Sequence, residues 1–265
     1  MDFAVLIKPV PEAEARLRPD RAGQDLDADG VKFVLAGYDE SAVEQALLLR
    51  DSIPGATVRA ISLGPVARCE EVLRSAIALG VDAATSLDAP PELAFDPVRL
   101  ATGLTLALTR HPAALVLTGK QSLDEGSGCL SSAVAELLGL PDYGSVTDLR
   151  WDAPLGRFTL RQIVEGEVRS ITIAPPVLIG LQQAWNDPRT AKLPMILKSR
   201  KAAIERIARA ELEAALAKSA RPPVRTVAFQ LPPPRTGAQM IEYRTPEEAA
   251  EKLVQRLSEE AKVLP

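Results

Sequence analysis

The feature that most constrains the fold is a strand, loop and helix pattern at residues 114 to 139. An apolar run ending at Thr118 is followed by a loop of Gly, Ser and acidic residues, and then by an amphipathic segment that stops at Gly139. Free backbone N–H groups at the start of such a helix can bind a phosphate where small residues let it approach. A tight β–α connection would have the same pattern, and no Walker or dinucleotide glycine motif is complete here. Spacing alone therefore leaves both interpretations open.

The same alternation of strands and helices covers the first half of the chain. The predicted strands lie at 3–7, 57–63, 83–87 and 114–118, and the predicted helices between them lie at 39–50, 67–79 and 97–110. Ser41 and Glu44 have the spacing of a capping box and are predicted to begin the first helix. Residues 11–36 are polar, with scattered Pro, Asp and Gly, and are predicted to be a long excursion without packed elements. The pattern predicts an α/β fold with a mostly parallel, doubly wound sheet.

After Gly139 the pattern changes from helices to turns. Strand-like runs at 144–151, 158–164 and 168–173 predict an added antiparallel hairpin with its turn at Glu165-Gly166, and 176–181 restores a buried strand. The α/β nucleotide-binding domain is therefore predicted to span 1–183.

The remainder of the chain is predicted to be a loop and an arm. A partner-recognition loop at 184–201 precedes a helical and extended C-terminal arm at 202–265. The segment from Lys198 to Ser219, which begins at the end of the loop, is predicted to be strongly helical, and the prolines after it mark a stiff linker. Thr245-Pro246 begins a final helix whose apolar stripe is narrow, so we expect the arm to dock on a partner subunit.

Composition excludes several classes of function. The net charge of -4 and pI near 5.3 provide no overall attraction for nucleic acid or an anionic membrane. No apolar run approaches the roughly 18 residues of a membrane span, so neither insertion nor export is expected and a cytoplasmic location is predicted.

Cys69 and Cys129 match no metal spacing and are predicted to be buried thiols. His111 fits a helix end better than a catalytic base, and Cys129 has no obvious base nearby.

Several short motifs, spread over residues 1 to about 201, occur in the order of one known family. They are Lys8 with Val10-Pro11, Tyr38-Asp39-Glu40, Ser62-Leu63-Gly64, Cys69 to Arg74, Gly119-Lys120-Gln121 with Asp124, and Asn186-Asp187-Pro188-Arg189 followed by Leu193-Pro194 and Ile196. With these motifs the chain resembles the beta subunit of the electron-transfer flavoproteins, which also carry a C-terminal arm.

The resemblance implies an electron carrier without catalytic residues of its own. It implies a heterodimer with an alpha subunit that holds most of an FAD, electron uptake from flavin dehydrogenases of the acyl-CoA or a related type, and delivery to a membrane quinone oxidoreductase. It also implies a structural AMP in this chain. The implied nucleotide-site residues are Leu6, Ala36, Tyr38, Asp39, Leu63, Gly64, Gly119, Gln121, Asp124, Gly126, Ser127, Gly128, Cys129, Leu130 and Ser131.

Two departures from the family pattern bear on the nucleotide. Ala36-Gly37 replaces the usual Asn-Pro, and Gly128 to Ser131 replaces the usual Asn-Gln-Thr-Gly or Ala-Gln-Val-Gly at the helix start, which leaves Ser127, Ser131 and bare N–H groups to meet a phosphate. Members that bifurcate electrons hold a second FAD in this pocket, and Glu125-Gly126-Ser127 keeps part of their Gly-Asp-Thr run. A stand-alone nucleotide-hydrolysing α/β protein is a third hypothesis, but Lys8-Pro9-Val10 stands where its Ser-Gly-Gly loop would be.

A basic segment follows the α/β domain. Residues 182–201 contain five Lys and Arg against Asp187 alone, which favours an acidic partner. In the family this loop recognises the dehydrogenase through a leucine, here Leu193, although Leu193 and Ile196 could instead begin the core face of the next helix. The implied docking residues are Arg189, Lys192, Leu193, Pro194 and Ile196. Trp185 could support this loop, and Glu165 could face the flavin.

Overall fold

The structure is a computed structural model that describes residues 1–23, 25–182, 187–218, 224–234 and 237–263. The chain divides into two compact units, Met1–Gln230 and Leu231–Pro265. The strands of the described residues are β1 (Asp2–Leu6), β2 (Pro9–Pro11), β3 (Phe33–Leu35), β4 (Thr57–Gly64), β5 (Ala83–Asp88), β6 (Leu115–Gly119), β7 (Asp142–Asp152), β8 (Arg157–Val164), β9 (Glu167–Ile173), β10 (Val177–Leu181) and β11 (Glu205–Ile207). The α-helices are α1 (Gly37–Ser52), α2 (Val66–Leu79), α3 (Pro97–Arg110), α4 (Leu130–Leu138), α5 (Leu193–Ser199), α6 (Arg209–Leu216) and α7 (Pro246–Glu259), with a short 3₁₀ helix at Pro91–Phe95.

One nine-stranded sheet organises the first unit. Its order is β11-β5-β4-β1-β6-β10-β7-β8-β9, and β2 pairs with β3 in a separate antiparallel ribbon. Neighbours from β11 through β7 are parallel, whereas β7, β8 and β9 run antiparallel. The predicted mostly parallel sheet with an added hairpin is therefore confirmed. The chain runs from β1 to β4 and β5 on one side and then crosses back to β6 on the other side of β1. The strand order therefore reverses at β1, which marks the switch point at which open α/β sheets bind ligands.

The parallel strands are apolar on both faces because helices cover both. Phe3 and Val5 pack into the core beneath α1 and α2, while Ala4 and Leu6 pack into the core beneath α3 and α4. A strand buried in this way reads as a continuous apolar run rather than as an alternating one. That is why residues 3–7 could be identified as a central strand from sequence.

The hairpin turn between β8 and β9 is also confirmed. Glu165 and Gly166 have φ angles of 51° and 83°, and two residues with positive φ match the right-handed twist of the flanking strands. Phe158 of β8 is paired with Trp151 of the neighbouring strand β7, and the two rings lie 4.8 Å apart between centroids. These aromatic rings attach the hairpin to the core of the sheet.

The predicted capping box at Ser41 and Glu44 is wrong. Helix α1 begins at Gly37 with Ala36 as its N-cap, so Ser41 lies inside the helix and its hydroxyl donates to the Gly37 carbonyl at 3.1 Å. Glu44 is buried and accepts hydrogen bonds from Arg189 instead. Tertiary contacts here outweigh a local capping signal that is worth about 1 kcal/mol.

Three further expectations are corrected by packing. The predicted continuous helix from Lys198 to Ser219 is interrupted by β11, because Ile207 is fully buried where this strand extends the sheet edge beside β5. The excursion at 11–36 is not free of packed elements, since β3 closes it and Phe33 is buried. Cys69 is buried, which raises the pKa of its thiol to about 11, but Cys129 is exposed at the start of α4.

Candidate functional site

A cleft opens at the switch point, where the carboxyl ends of three parallel strands meet. Leu6 ends β1, Leu63 lies near the end of β4, and Thr118 and Gly119 end β6, and all four residues line the cleft. The opposite wall comes from α3 and from the loop that precedes α4. Sequence order separates these residues widely, and the parallel sheet brings them together at one edge.

Asp39 closes the floor of the cleft with a buried carboxylate. Its two oxygens accept the backbone N–H of Lys8 at 2.8 Å and of Gly119 at 3.2 Å, so one side chain joins the ends of β1 and β6. Burial raises the pKa of Asp39 to about 7, although both N–H groups favour the ionised form. The group therefore changes charge near neutral pH, at the floor of the cleft.

Gly119 is required by the close approach of β6 to α1. A Cβ at this position would lie 2.5 Å from the Asp39 Oδ1 and 3.0 Å from a backbone atom of Tyr38. Separations this short force the helix and the strand apart. The glycine in the predicted loop motif is thus explained by packing at the cleft floor.

Lys8 ties the loop before α4 to the end of β1. Its Nζ lies 2.9 Å from the Asp124 Oδ1, 3.1 Å from the Glu125 Oε2 and 3.4 Å from the Ser122 Oγ. The Lys8 side chain is largely buried, so this cluster is screened less than a surface pair. The cluster sets the position of the loop that forms the cleft wall.

Two features of the cleft suit an anionic ligand. The first turn of α4 has no side-chain cap, so its backbone N–H groups are free of a capping acceptor. Thr118 is buried, lines the cleft, and has a hydroxyl without a hydrogen-bond partner among the described residues. A buried hydroxyl without a partner is costly in a folded chain, and a bound polar ligand would satisfy it.

The cleft adjoins a second, larger cavity. The cleft itself holds about 60 Å³ and its neighbour about 320 Å³, and both are lined by Lys8 and Leu63. The larger cavity is mainly apolar, and the Arg68 guanidinium lies 4.5 Å above the Phe33 ring at its wall. Ligand pockets for small molecules commonly span about 300 Å³ or more, which the two cavities provide together.

The predicted site residues divide among these cavities. Those lining the cleft are Leu6, Asp39, Leu63, Gly119, Gln121, Ser127, Gly128 and Leu130. Leu63 also lines the larger cavity, together with Gly64 and Asp124. The linings of these two cavities do not include Ala36, Tyr38, Gly126, Cys129 or Ser131. Ala36 and Ser131 are buried, and Cys129 occupies the N-cap position of α4 without a capping hydrogen bond from its side chain.

The sequence interpretation missed cleft residues of two kinds. Lys8 and Thr118 stand at strand ends, so the rule that ligands bind at the carboxyl edge could have included them. Leu100 and Leu104 of α3 also line the cleft, but their spacing is that of any core-facing helix. No sequence signal separates these two leucines from the core.

The basic segment lies on the surface beyond β10. We call its described residues, 187–201, the docking segment; Trp185 and Asn186 lie outside the described residues. Leu193 begins α5 and is 68% exposed, so it is not part of a core face. Ile196 is partly buried in a groove beside α2, and Arg189 forms an ion pair with Glu44.

The fold and the cleft define a doubly wound α/β protein with a candidate ligand site at the switch point of its sheet. Its sequence matches the family model described as "Electron transfer flavoprotein domain" over residues 25–212. The chain belongs to the electron transfer flavoprotein family and is similar to its beta subunits, as the sequence motifs predicted. No helix in the described ranges combines the length and apolarity that crossing a bilayer requires.

Curated relatives match along the whole chain. The Bacillus subtilis protein named electron transfer flavoprotein subunit beta is 29% identical over 265 residues, covering 100% of both chains. The human protein of the same name is 29% identical and covers 98% of this chain and 93% of its own. A mitochondrial subunit beta from Oryza sativa subsp. japonica is 30% identical over 271 residues and covers 100% of both.

Proposed function

We propose that this protein pairs with an alpha subunit as an electron carrier and has no catalytic residues of its own. In this proposal the alpha subunit holds most of an FAD, flavin dehydrogenases of the acyl-CoA or a related type supply electrons, and a membrane quinone oxidoreductase receives them, with the carrier in the cytoplasm. Family membership and full-length similarity to beta subunits support it. Most of the flavin contacts are assigned to the alpha subunit, and this chain is proposed to contribute one wall of the flavin site.

The cleft is proposed to hold AMP as a structural nucleotide. The observation that carries this proposal is the buried Thr118 hydroxyl, which lines the cleft and has no partner among the described residues. The uncapped start of α4 supplies N–H groups for a phosphate, and the adjoining cavity supplies apolar volume. Carboxylates at Asp39 and Glu125 disfavour a phosphate beside them, so we place the phosphate at the α4 end.

Nucleotide analysis of the purified heterodimer tests this assignment. Denaturation is expected to release one FAD and one AMP per heterodimer, which mass spectrometry identifies and quantifies. Thr118→Val removes the hydroxyl while keeping the shape, so AMP retained through gel filtration is expected to fall severalfold. Thr102→Val is the matched control, because its hydroxyl already bonds to the Val98 carbonyl within α3. Heterodimer that carries no nucleotide besides FAD would overturn the AMP proposal.

Electron bifurcation is the second candidate and gives a different count. It places a second FAD in the same pocket, and Glu125-Gly126-Ser127 keeps part of the sequence associated with it. Two FAD and no AMP per heterodimer would therefore favour bifurcation over the structural AMP.

The docking segment is proposed to contact the dehydrogenase through Leu193. Leu193 and Leu197 are 68% and 52% exposed and lie one turn apart, so they form a small apolar patch on α5. Lys192 and Pro194 beside them are exposed too. An exposed leucine patch with basic neighbours suits a transient contact with an acidic partner.

A further inference from the structure

Arg189, at the start of the docking segment, is bound to the body of its own chain. Its Nε lies 2.9 Å from the Glu44 Oε2, its Nη2 lies 3.2 Å from the Glu44 Oε1, and its backbone N–H donates to the same carboxylate at 3.0 Å. Nη2 also reaches Asp51 Oδ2 at 3.2 Å, about two turns further along α1. Two parallel N–H···O bonds fix the guanidinium in both position and orientation.

The burial of Glu44 makes this contact different from a surface ion pair. The Glu44 side chain is 8% exposed and that of Arg189 is 31% exposed. A buried carboxylate is strongly destabilised when its partner is removed, whereas an exposed pair contributes little. The pKa of Arg189 is raised, chiefly by the hydrogen bond to Glu44, as expected for a guanidinium held by a carboxylate.

The other end of the docking segment is held by α2. The Arg74 Nη1 donates to the carbonyls of Ser199 at 2.8 Å and Arg200 at 3.0 Å, which close the last turn of α5. A guanidinium at a helix C-terminus satisfies carbonyls that have no partner in the helix. Between these two attachments, Lys192 and Leu193 face away from the chain.

We propose that Arg189 is a positioning residue, which through Glu44 sets the place and direction of α5 so that Leu193 is presented to the dehydrogenase. The partner then contacts the exposed residues between the two attachments rather than the Arg189 guanidinium. This inference rests on the proposed docking function. It explains why a buried acid on α1, far from the docking segment in sequence, is matched to a cation within it.

A double-mutant cycle separates positioning from direct contact. Glu44→Gln and Arg189→Gln are introduced singly and together, and the rate at which the dehydrogenase reduces the heterodimer is measured against heterodimer concentration. Each single variant is expected to raise KM about tenfold with kcat changed less than twofold, and the double variant is expected to be no worse than either. Glu213→Gln is the control, since this exposed acid lies on α6 on the other face of the sheet.

A second measurement does not depend on the dehydrogenase. Hydrogen exchange in the free heterodimer is expected to speed up at residues 190–200 in both single variants, with the sheet unaffected. Glu44→Asp keeps the buried charge but draws it away from Arg189, so it provides the same test if Glu44→Gln folds poorly. Arg189→Lys can form only one of the two parallel bonds, so its KM is expected to lie between that of the wild type and that of Arg189→Gln.

The outcomes distinguish this inference from the docking proposal. If Leu193→Ala leaves KM unchanged, the docking function itself is wrong. A different result is that Leu193→Ala and Arg189→Gln each raise KM, whereas neither Glu44→Gln nor Glu44→Asp does. Arg189 then contacts the partner directly, and the positioning role is wrong. Additive effects in the double variant would overturn it equally.

Discussion

At the residue scale, Asp39 combines structural and electrostatic roles in the cleft. Its carboxylate accepts N–H groups from two strand ends, and no other residue type offers two acceptors at that distance from the helix start. The same burial that makes these bonds strong disfavours the negative charge, which raises the pKa to about 7. The side chain therefore adds stability through geometry while opposing it through charge above neutral pH.

Asp39→Asn is expected to change how stability depends on pH. A carboxyl with a folded-state pKa of about 7 binds its proton more tightly in the folded than in the unfolded chain. The stabilisation of the folded state by this proton is complete below about pH 4 and is lost as the pH rises through 7. The unfolding free energy of the wild type should therefore fall relative to the variant over that window, by an amount on the order of a few kcal/mol. Urea unfolding at pH 5, 6 and 8 measures the difference.

The control for this prediction is Asp29→Asn, which changes an exposed carboxyl of the same type. Its stability should follow the wild type at every pH. Parallel curves for Asp39→Asn and the wild type would show that Asp39 keeps an ordinary affinity for protons.

At the element scale, sequence predicted most of the parallel sheet but less of the site. Continuous apolar runs identified the central strands because residues such as Phe3 and Leu6 must be buried on opposite faces at once. Local features were predicted wrongly where contacts between residues far apart in sequence determine the structure. Strand β11 forms because Ile207 is buried where the strand pairs with β5 at the sheet edge. Glu44 forms an ion pair with Arg189 instead of capping the start of α1. Neither contact leaves a local pattern that periodicity could detect.

The same limit applies to the candidate site. The glycines of the loop and the strand ends were predictable from the rule that ligands bind at carboxyl edges, and Gly119 has a packing reason as well. The same rule covers the positions of Thr118 and Lys8, but their roles required the structure, because a buried hydroxyl without a partner among the described residues and a three-way ion cluster depend on three-dimensional placement.

Helix α5 presents an exposed leucine, Leu193, at its first position. Leu193→Ala removes an exposed apolar anchor, and burying a leucine contributes roughly 1.5 to 3 kcal/mol, so KM for the dehydrogenase should rise about tenfold or more. Flavin and AMP content should stay as in the wild type, since Leu193 is not among the residues that line the cleft or the larger cavity. Steady-state reduction of the heterodimer by the dehydrogenase measures this change.

Leu155→Ala is the matched control, because Leu155 is 63% exposed but lies in the turn between β7 and β8. It should react like the wild type. Equal rates for Leu193→Ala and the wild type would assign the partner contact to another surface.

At the scale of the whole molecule, the two units differ in what they can bury. The first unit contains two hydrophobic cores on opposite faces of the sheet, so the apolar faces of its helices and strands are buried against each other. Helix α7 of the second unit has no buried residue, and Met240, Tyr243 and Val254 around it are more than half exposed. A segment this small cannot bury enough apolar surface alone. We therefore propose that the alpha subunit covers this surface.

Leu253→Glu tests that proposal in the full-length chain. Leu253 is 48% exposed, so a charge there should leave the isolated chain as stable as the wild type, with its thermal midpoint unchanged. In the heterodimer the same charge would lie in an apolar contact, so the affinity for the alpha subunit should fall at least tenfold, or about 1.4 kcal/mol. Gln255→Glu places a charge on the same helix outside the Leu253 and Leu257 stripe and should bind within about threefold of the wild type. Sedimentation or titration with purified alpha subunit measures both affinities. If Leu253→Glu bound as tightly as Gln255→Glu, the alpha subunit would not cover this face of α7.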